Sequence, residues 1–224
     1  MRRLLIPALA LFAVACADSP AHDSADTDAG PTVALELTVG DFLFLEGVEG
    51  LDVCVMNTDN CTVTDEDGLA ILTVAADSDI GVTIAGEDYT PTLLPYRTTS
   101  EDLVVSIYPS PMVITELVHG HLGLDWSKGH VTVTLHQSEG FVAEIETGEA
   151  VHYWNDLSSA LDADLTQTSQ SGRMSVVNVS GDTVMTISGP GNCTPRVHYW
   201  SDGPNRVVLP ILSGHKTGVT LDCE

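Results

Sequence analysis

Basic residues are scarce in this sequence. Eight Lys and Arg stand against thirty-two Asp and Glu, a formal charge of −24 at pH 7 with histidine neutral. Arg2 and Arg3 open the chain, which leaves six cations for everything that follows. Charge of that sign repels phosphate backbones and excludes nucleic acid as a partner. It offers no attraction to anionic lipid headgroups either, and it suits a solvated surface. Chemistry-bearing motifs are missing as well. No Cys-x-x-Cys spacing occurs, which argues against zinc-binding thiols. There is no Gly-x-Ser-x-Gly elbow, His-Glu-x-x-His pair or phosphate-binding glycine loop. No cofactor is expected. Nor does any apolar run reach the roughly 20 residues that a membrane-spanning helix needs.

What is present begins with "MRRLLIPALALFAVAC". Arg2 and Arg3 precede an apolar stretch from Leu4 to Val14, broken only by Pro7. A positive start and a short apolar segment read as a cleaved secretory leader. The Ala13-Val14-Ala15 that precedes Cys16 resembles a bacterial lipobox. That resemblance implies a leader over residues 1–16 and a lipidated Cys16 as the mature N-terminus, hence a covalent membrane anchor. Ala17 stands where an Asp tends to hold Gram-negative lipoproteins at the inner membrane. The resemblance therefore implies an outer-membrane lipoprotein of the bacterial cell envelope. Residues 17–32, "ADSPAHDSADTDAGPT", contain no large apolar side chain and are expected to form a flexible acidic tether.

Beyond the tether, short β-favouring runs alternate with turn residues: "LDVCVM", "LAILTV", "IGVTIA", "LVVSIY", "HVTVTL", "MSVVNV", "TVMTI" and "VVLPIL". This spacing predicts an all-β fold of sandwich type. "DLSSALDADL" at 156–165 is the one helical candidate and reads better as a loop between strands. Displacing the chain so that Thr64 lies on Thr168 also sets Gly68 on Gly172 and Thr90-Pro91 on Thr194-Pro195. Such self-similarity predicts two modules of like architecture, at 33–112 and 129–224, with 113–128 as a linker or crossing strand. With Cys16 lipidated, Cys54, Cys61, Cys193 and Cys223 remain, and four cysteines allow three connectivities. Pairing Cys54 with Cys61 and Cys193 with Cys223 is the simplest, because each bridge then stays within one module.

"NCTVTDEDGLAILTV" poses a choice between a calcium loop and a turn. With Gly68 at the sixth position of an EF-hand loop, Val63 and Val74 occupy positions one and twelve, where oxygen ligands are required. The calcium loop is therefore excluded, and a tight turn built on Asp65 and Gly68 is expected. The Thr64-Asp65-x-x-Gly68 pattern followed by a strand, with Gly86 and Tyr89 further on, resembles the transthyretin-like or carboxypeptidase regulatory-like β-sandwich domains. The resemblance covers roughly residues 45–110, and the second half keeps only Thr168 and Gly172 of it. It implies Ig-like/transthyretin-like modules that are noncatalytic and act as spacers or binding units.

Three constellations remain. His136 and Glu139 have the His-x-x-Glu spacing of a zinc peptidase, but the chain has no room for the catalytic domain such a site serves. His119 and His121 flank Gly120 and read as linker histidines rather than metal ligands. "VHYWND" at 151–156 recurs as "VHYWSD" at 197–202. On neighbouring strands His152, Trp154, His198 and Trp200 would share a face, and Trp rings stack well on sugars. The chain thus reads as a lipid-anchored, noncatalytic structural or binding module of the envelope. A binder of carbohydrate or peptidoglycan through the Tyr-Trp pairs is the alternative, and a metal-dependent hydrolase is a distant third. An envelope protein or a glycan is the expected partner.

Overall fold

The computed structural model describes residues 30–136, 138–196 and 199–224. The leader, Cys16, residues 17–29 of the tether and His198 lie outside the described residues. The described chain is an all-β sandwich fold with one short helix. Its first half contains β1 (Thr32–Val39), β2 (Asp52–Val55), β3 (Cys61–Val63), β4 (Leu69–Ala75), β5 (Asp79–Gly86), β6 (Tyr89–Arg97) and β7 (Leu103–Ile107). Then come α1 (Met112–His119) and a 3₁₀ turn, Gly120–Leu122. The second half contains β8 (Gly129–His136), β9 (Val142–Ile145), β10 (His152–Trp154), β11 (Leu161–Asp162), β12 (Arg173–Val179), β13 (Thr183–Ser188), β14 (Cys193–Pro195), β15 (Arg206–Leu209) and β16 (Lys216–Cys223).

Pairing in the two halves follows one plan. β1 pairs antiparallel with β4 and parallel with β7, while β5 lies between β2 and β6. Likewise β8 pairs antiparallel with β12 and parallel with β16, while β13 lies between β9 and β15. The likeness extends to single hydrogen bonds. Thr64 Oγ1 donates to the Val48 carbonyl and accepts the Leu51 N–H; Thr168 Oγ1 donates to the Ser138 carbonyl and accepts the Phe141 N–H. Val39 N–H donates to the Gly68 carbonyl and Leu135 N–H to the Gly172 carbonyl, both at 2.8 Å. At the acidic turn, Asp65 Oδ1 accepts the N–H groups of Asp67 and Leu69. Its carboxylate is thus spent on the backbone, as a turn requires.

Alternation along the strands builds two cores. Leu35, Leu37, Leu72, Val82, Leu94 and Tyr96 belong to the first, and Val133, Leu135, Met174, Ile187, Val219 and Leu221 to the second. Each buried Leu or Val contributes about 1.5–3 kcal/mol relative to an exposed one. The halves are joined where β16 pairs in parallel with β6, Lys216 opposite Thr92 and Thr217 opposite Leu93, which fuses their sheets into one of ten strands.

Side-chain parity across that seam fixes the layering. Thr92 shares its face of β6 with Leu94 and Tyr96, which point into the first core. Lys216, paired with Thr92, points to that same side, whereas Val219 and Leu221 point to the other side, into the second core. The sheet β4-β1-β7 and the sheet β15-β13-β9 therefore cover opposite faces of the shared sheet. Among the described residues, no sheet covers the face that bears Lys216 over the second half. α1 and the turns around it lie there instead.

Both disulfides join residues directly opposite on paired strands: Cys54–Cys61 across β2 and β3, Cys193–Cys223 across β14 and β16. Segment 113–128, expected as a linker or crossing strand, carries most of α1 instead. Thr115 and His119, one turn apart, are its buried residues, and Thr90 Oγ1 donates to Thr115 Oγ1 at 2.7 Å. Residues 156–165 form turns and the two-residue β11.

Candidate functional site

The uncovered face of the second half is polar by sequence. His130, Thr132 and Thr134 of β8, Arg173 and Ser175 of β12, and Lys216, Gly218 and Thr220 of β16 all point to it, because their alternate neighbours fill the second core. α1 stands over one end of this face, and the segment after β7 borders it along the seam. Two adjoining cavities result, of about 180 Å³ and about 350 Å³, which share Phe42, Ser110, Thr132, Arg173 and Lys216 in their walls. Ile114 and Val118 of α1 and the Trp154 ring add an apolar wall to the smaller one. Phe42 is set by its own turn, in which Asp41 Oδ1 accepts the Phe44 and Leu43 N–H groups and Oδ2 accepts the Tyr89 hydroxyl. Those bonds, with Phe44 and Leu43 foremost, hold the Asp41 carboxyl below its usual range.

Two of the six cations that follow Arg3 meet in this cleft. Lys216 Nζ donates to Ser110 Oγ at 2.8 Å. The Arg173 guanidinium lies over the Trp154 ring, 4.6 Å from its centroid, a cation–π contact that holds it in place. Burial, and then the charge of Arg173, push the Lys216 ammonium down to about 8. Burial also lowers Arg173 from its ordinary value. Among the described residues, Arg97, Arg196 and Arg206 form ion pairs with carboxylates, and Lys216 and Arg173 do not. In a chain with four times as many acids as bases, two enclosed cations facing each other with no carboxylate among the described residues are a costly arrangement.

Beside them lies a buried relay whose proton directions follow from the acceptors. His119 Nδ1 is 3.2 Å from the Thr115 carbonyl, which can only accept, so Nδ1 carries the proton. His119 Nε2 then accepts from Ser175 Oγ, and Ser175 Oγ accepts the Trp154 Nε1–H at 2.9 Å. Burial pushes His119 down to about 4 and keeps it neutral. Ser175→Ala should leave both the indole N–H and the imidazole nitrogen without a partner. A loss of about 1–3 kcal/mol is expected for each group stranded, read as a lower urea midpoint at unchanged slope.

The repeated "VHYW" falls in two different settings. Trp154, on β10, is 6% exposed and packed edge-to-face on His119. His152 shares its face and is half-buried. Trp200 lies in the chain after β14, half-buried, and its Nε1–H donates to the Tyr96 carbonyl on β6. β10 and β6 are four strands apart in the shared sheet, about 19 Å at about 4.8 Å per strand. The structure thus does not bring Trp154 and Trp200 together into one platform; each anchors a different part of the fold. His198 lies outside the described residues. No group of three or more His, Cys, Asp or Glu side chains suited to a metal occurs among the described residues.

Sequence reasoning passed over Phe42, Ser110, Arg173 and Lys216. The usable clue was scarcity: six cations follow Arg3, and Arg173 directly precedes the β-favouring run "MSVVNV".

No protein-family model matches the sequence, and no curated protein matches it. Among solved structures, a chain of a type II cohesin–X-dockerin complex from Acetivibrio cellulolyticus is 17% identical over 33% of this chain, with a TM-score of 0.29. This chain spans about half of that one's length (51%). The minor pilin GBS52 of Streptococcus agalactiae is 14% identical over 85% of this chain and 95% of its own, with a TM-score of 0.29. The shaft pilin SpaA of Lactobacillus rhamnosus GG is 9% identical over 86% and 98%, with a TM-score of 0.27. Scores this low transfer neither partner nor activity to this chain.

Proposed function

We propose that this chain is a noncatalytic binding module of the bacterial cell envelope, exported by residues 1–16, lipidated at Cys16 and held at the outer membrane by the tether 17–32. Its folded part comprises the two modules 33–112 and 129–224, of Ig-like/transthyretin-like type, with 113–128 between them. The cleft over the shared sheet is its binding element. The single observation that carries this reading is the cleft itself, where two cations with no ion pair among the described residues are enclosed beside an apolar wall at the seam of the two halves. Groups that raise the cost of the free protein in this way are retained where a ligand relieves it. The two cross-strand disulfides support export, since such bridges persist in oxidising compartments.

The anchoring part has its own test. Cys16→Ser should abolish labelling by a radioactive fatty acid and move the protein from the membrane to the soluble fraction. Unchanged membrane association would refute the lipoprotein assignment. A second reading rests on the contact between Ser110 and Lys216, the pairing of a serine nucleophile with a lysine base. Ester hydrolysis by the purified protein that vanishes in Ser110→Ala would establish a hydrolase in place of a binding module. At neutral pH the Lys216 ammonium, near 8, is mostly protonated and acts as a donor, which favours binding.

A further inference from the structure

We propose that the cleft binds a small organic anion, its acid group held between Lys216 and Arg173 and its apolar body lying against Phe42, Ile114 and Trp154. This rests on the reading of the cleft as the binding element and adds the class of ligand.

Four observations converge on it. First, donors are available. Lys216 spends one of its three N–H groups on Ser110. The stack on Trp154 fixes the plane of the Arg173 guanidinium through its face, which leaves the N–H edge free. No side-chain hydrogen bond of Arg173 to another described residue competes for that edge. Second, the neutral lining is rich in hydroxyls, with Ser110, Thr132, Thr134 and Thr220 able to donate to an oxyanion. Third, the charge balance is wrong without a ligand. Among the described residues, the charged or titratable groups facing Lys216 are Arg173 from β12, His119 from α1, His130 from β8, and Tyr108 and Tyr199 from the segments bordering the seam. None of them is a carboxylate, so a bound carboxylate would supply the missing charge. Fourth, the surroundings limit the size of the ligand. The strongly acidic surface turns away polyanions, and a cavity of about 180 Å³ with an apolar wall takes a small molecule with an apolar body.

The test is calorimetric titration of the purified full chain at pH 7 with 3-phenylpropionate, with 3-phenylpropionamide as its uncharged counterpart, and with sulfate as an anion lacking the apolar body. The carboxylate should bind saturably, at least tenfold tighter than either the amide or sulfate. Lys216→Met and Arg173→Met should each lower its affinity tenfold or more, while Lys216→Arg retains most of it. A second measurement needs no ligand. Lys216→Met should raise the melting temperature of the free protein by relieving the unpaired charge, and the carboxylate should stabilise the wild type but not this variant. Absence of saturable carboxylate binding overturns the proposal, as does undiminished affinity in the two methionine variants. Sulfate binding as tightly as the carboxylate overturns the apolar part of it. Amide binding as tight as that of the acid overturns the anion assignment while leaving the cleft a binding element, so the two readings fail separately.

Discussion

Gly172→Ala and Gly68→Ala should each destabilise the protein by about 4 kcal/mol, enough to consume much of the margin of a domain of this size. Both glycines are left-handed, with φ of +62° and +77°, a conformation that costs a residue with a Cβ about 1–2 kcal/mol. Space adds to that. A Cβ on Gly172 would run into the Leu135 carbonyl oxygen, and one on Gly68 into the Val39 carbonyl oxygen. These are backbone atoms of β8 and β1, each paired with a strand on both sides, so relief requires a strand to shift, which costs about 1–3 kcal/mol more. Gly181 separates the two effects, because it has φ of +73° and a Cβ placed there would meet nothing within 4 Å. Gly181→Ala should therefore show the conformational cost alone, about 1–2 kcal/mol. Urea unfolding of the three variants decides the matter. If Gly172→Ala costs no more than Gly181→Ala, the close approach of turn and strand plays no part in stability.

Those two glycines also mark how far the sequence is legible. The displacement that sets Thr64 on Thr168 and Gly68 on Gly172 aligns residues with the same hydrogen bonds, because such a turn admits few residue types. A threonine must donate and accept at once, and the glycine must take positive φ. Eight of the strands could be read from runs of Val, Leu and Ile, and the local disulfides from the short distances within each half, whereas β1, β6 and β16 lay outside those runs. The rest depends on contacts far apart in sequence. Lys216 meets Thr92 across the seam, and nothing local in either strand announces a parallel partner. α1 was hidden by Val113, Ile114, Thr115 and Val118, whose β-branched side chains favour strands until tertiary packing overrides them. The two copies of "VHYW" share a sequence and not a setting. The first is a strand between β11 and β12, and the second follows β14 and turns its indole onto the other half. The cleft was hardest to foresee, since Phe42, Ser110, Arg173 and Lys216 come from four separate segments and match no motif.

Lowering the pH from 7 to 4 should remove roughly 6 kcal/mol of stability through two histidines, at roughly 3 kcal/mol each. His119 is 7% exposed and His130 4%, and burial first of all pushes each of them to about 4. His130 accepts the Asn178 N–H at Nδ1, so its proton sits on Nε2, which is buried without a hydrogen-bond partner and lies against the Trp126 ring edge-to-face. A second proton on His130 would fall on Nδ1, which faces the Asn178 N–H, and one on His119 would fall on Nε2, where Ser175 Oγ must first turn its own proton away. Well above pH 6.5 the imidazoles are neutral folded or unfolded and contribute no pH dependence. Between 6.5 and 4 the unfolded chain takes up protons that the folded chain refuses, so stability falls as the pH falls. Other groups face these rings. Lys216, His130 and His121 lower His119 further, and Asp125 partly opposes burial at His130. The acidic surface works in the opposite direction, because protonating carboxylates relieves self-repulsion. That surface contribution is screened by salt whereas the buried histidines are not. Urea unfolding at pH 7, 6, 5 and 4 in about 0.5 M salt, where the Debye length is well under 10 Å, should therefore expose the full loss. His130→Gln should halve the slope with pH whatever it does to absolute stability, and imidazole C–H resonances of the folded protein should show two histidines that titrate near 4. Stability that stays level from pH 7 to 4.5 at high salt, or folded-state titration of both rings near 6.5, would mean that the two histidines are not held neutral by burial.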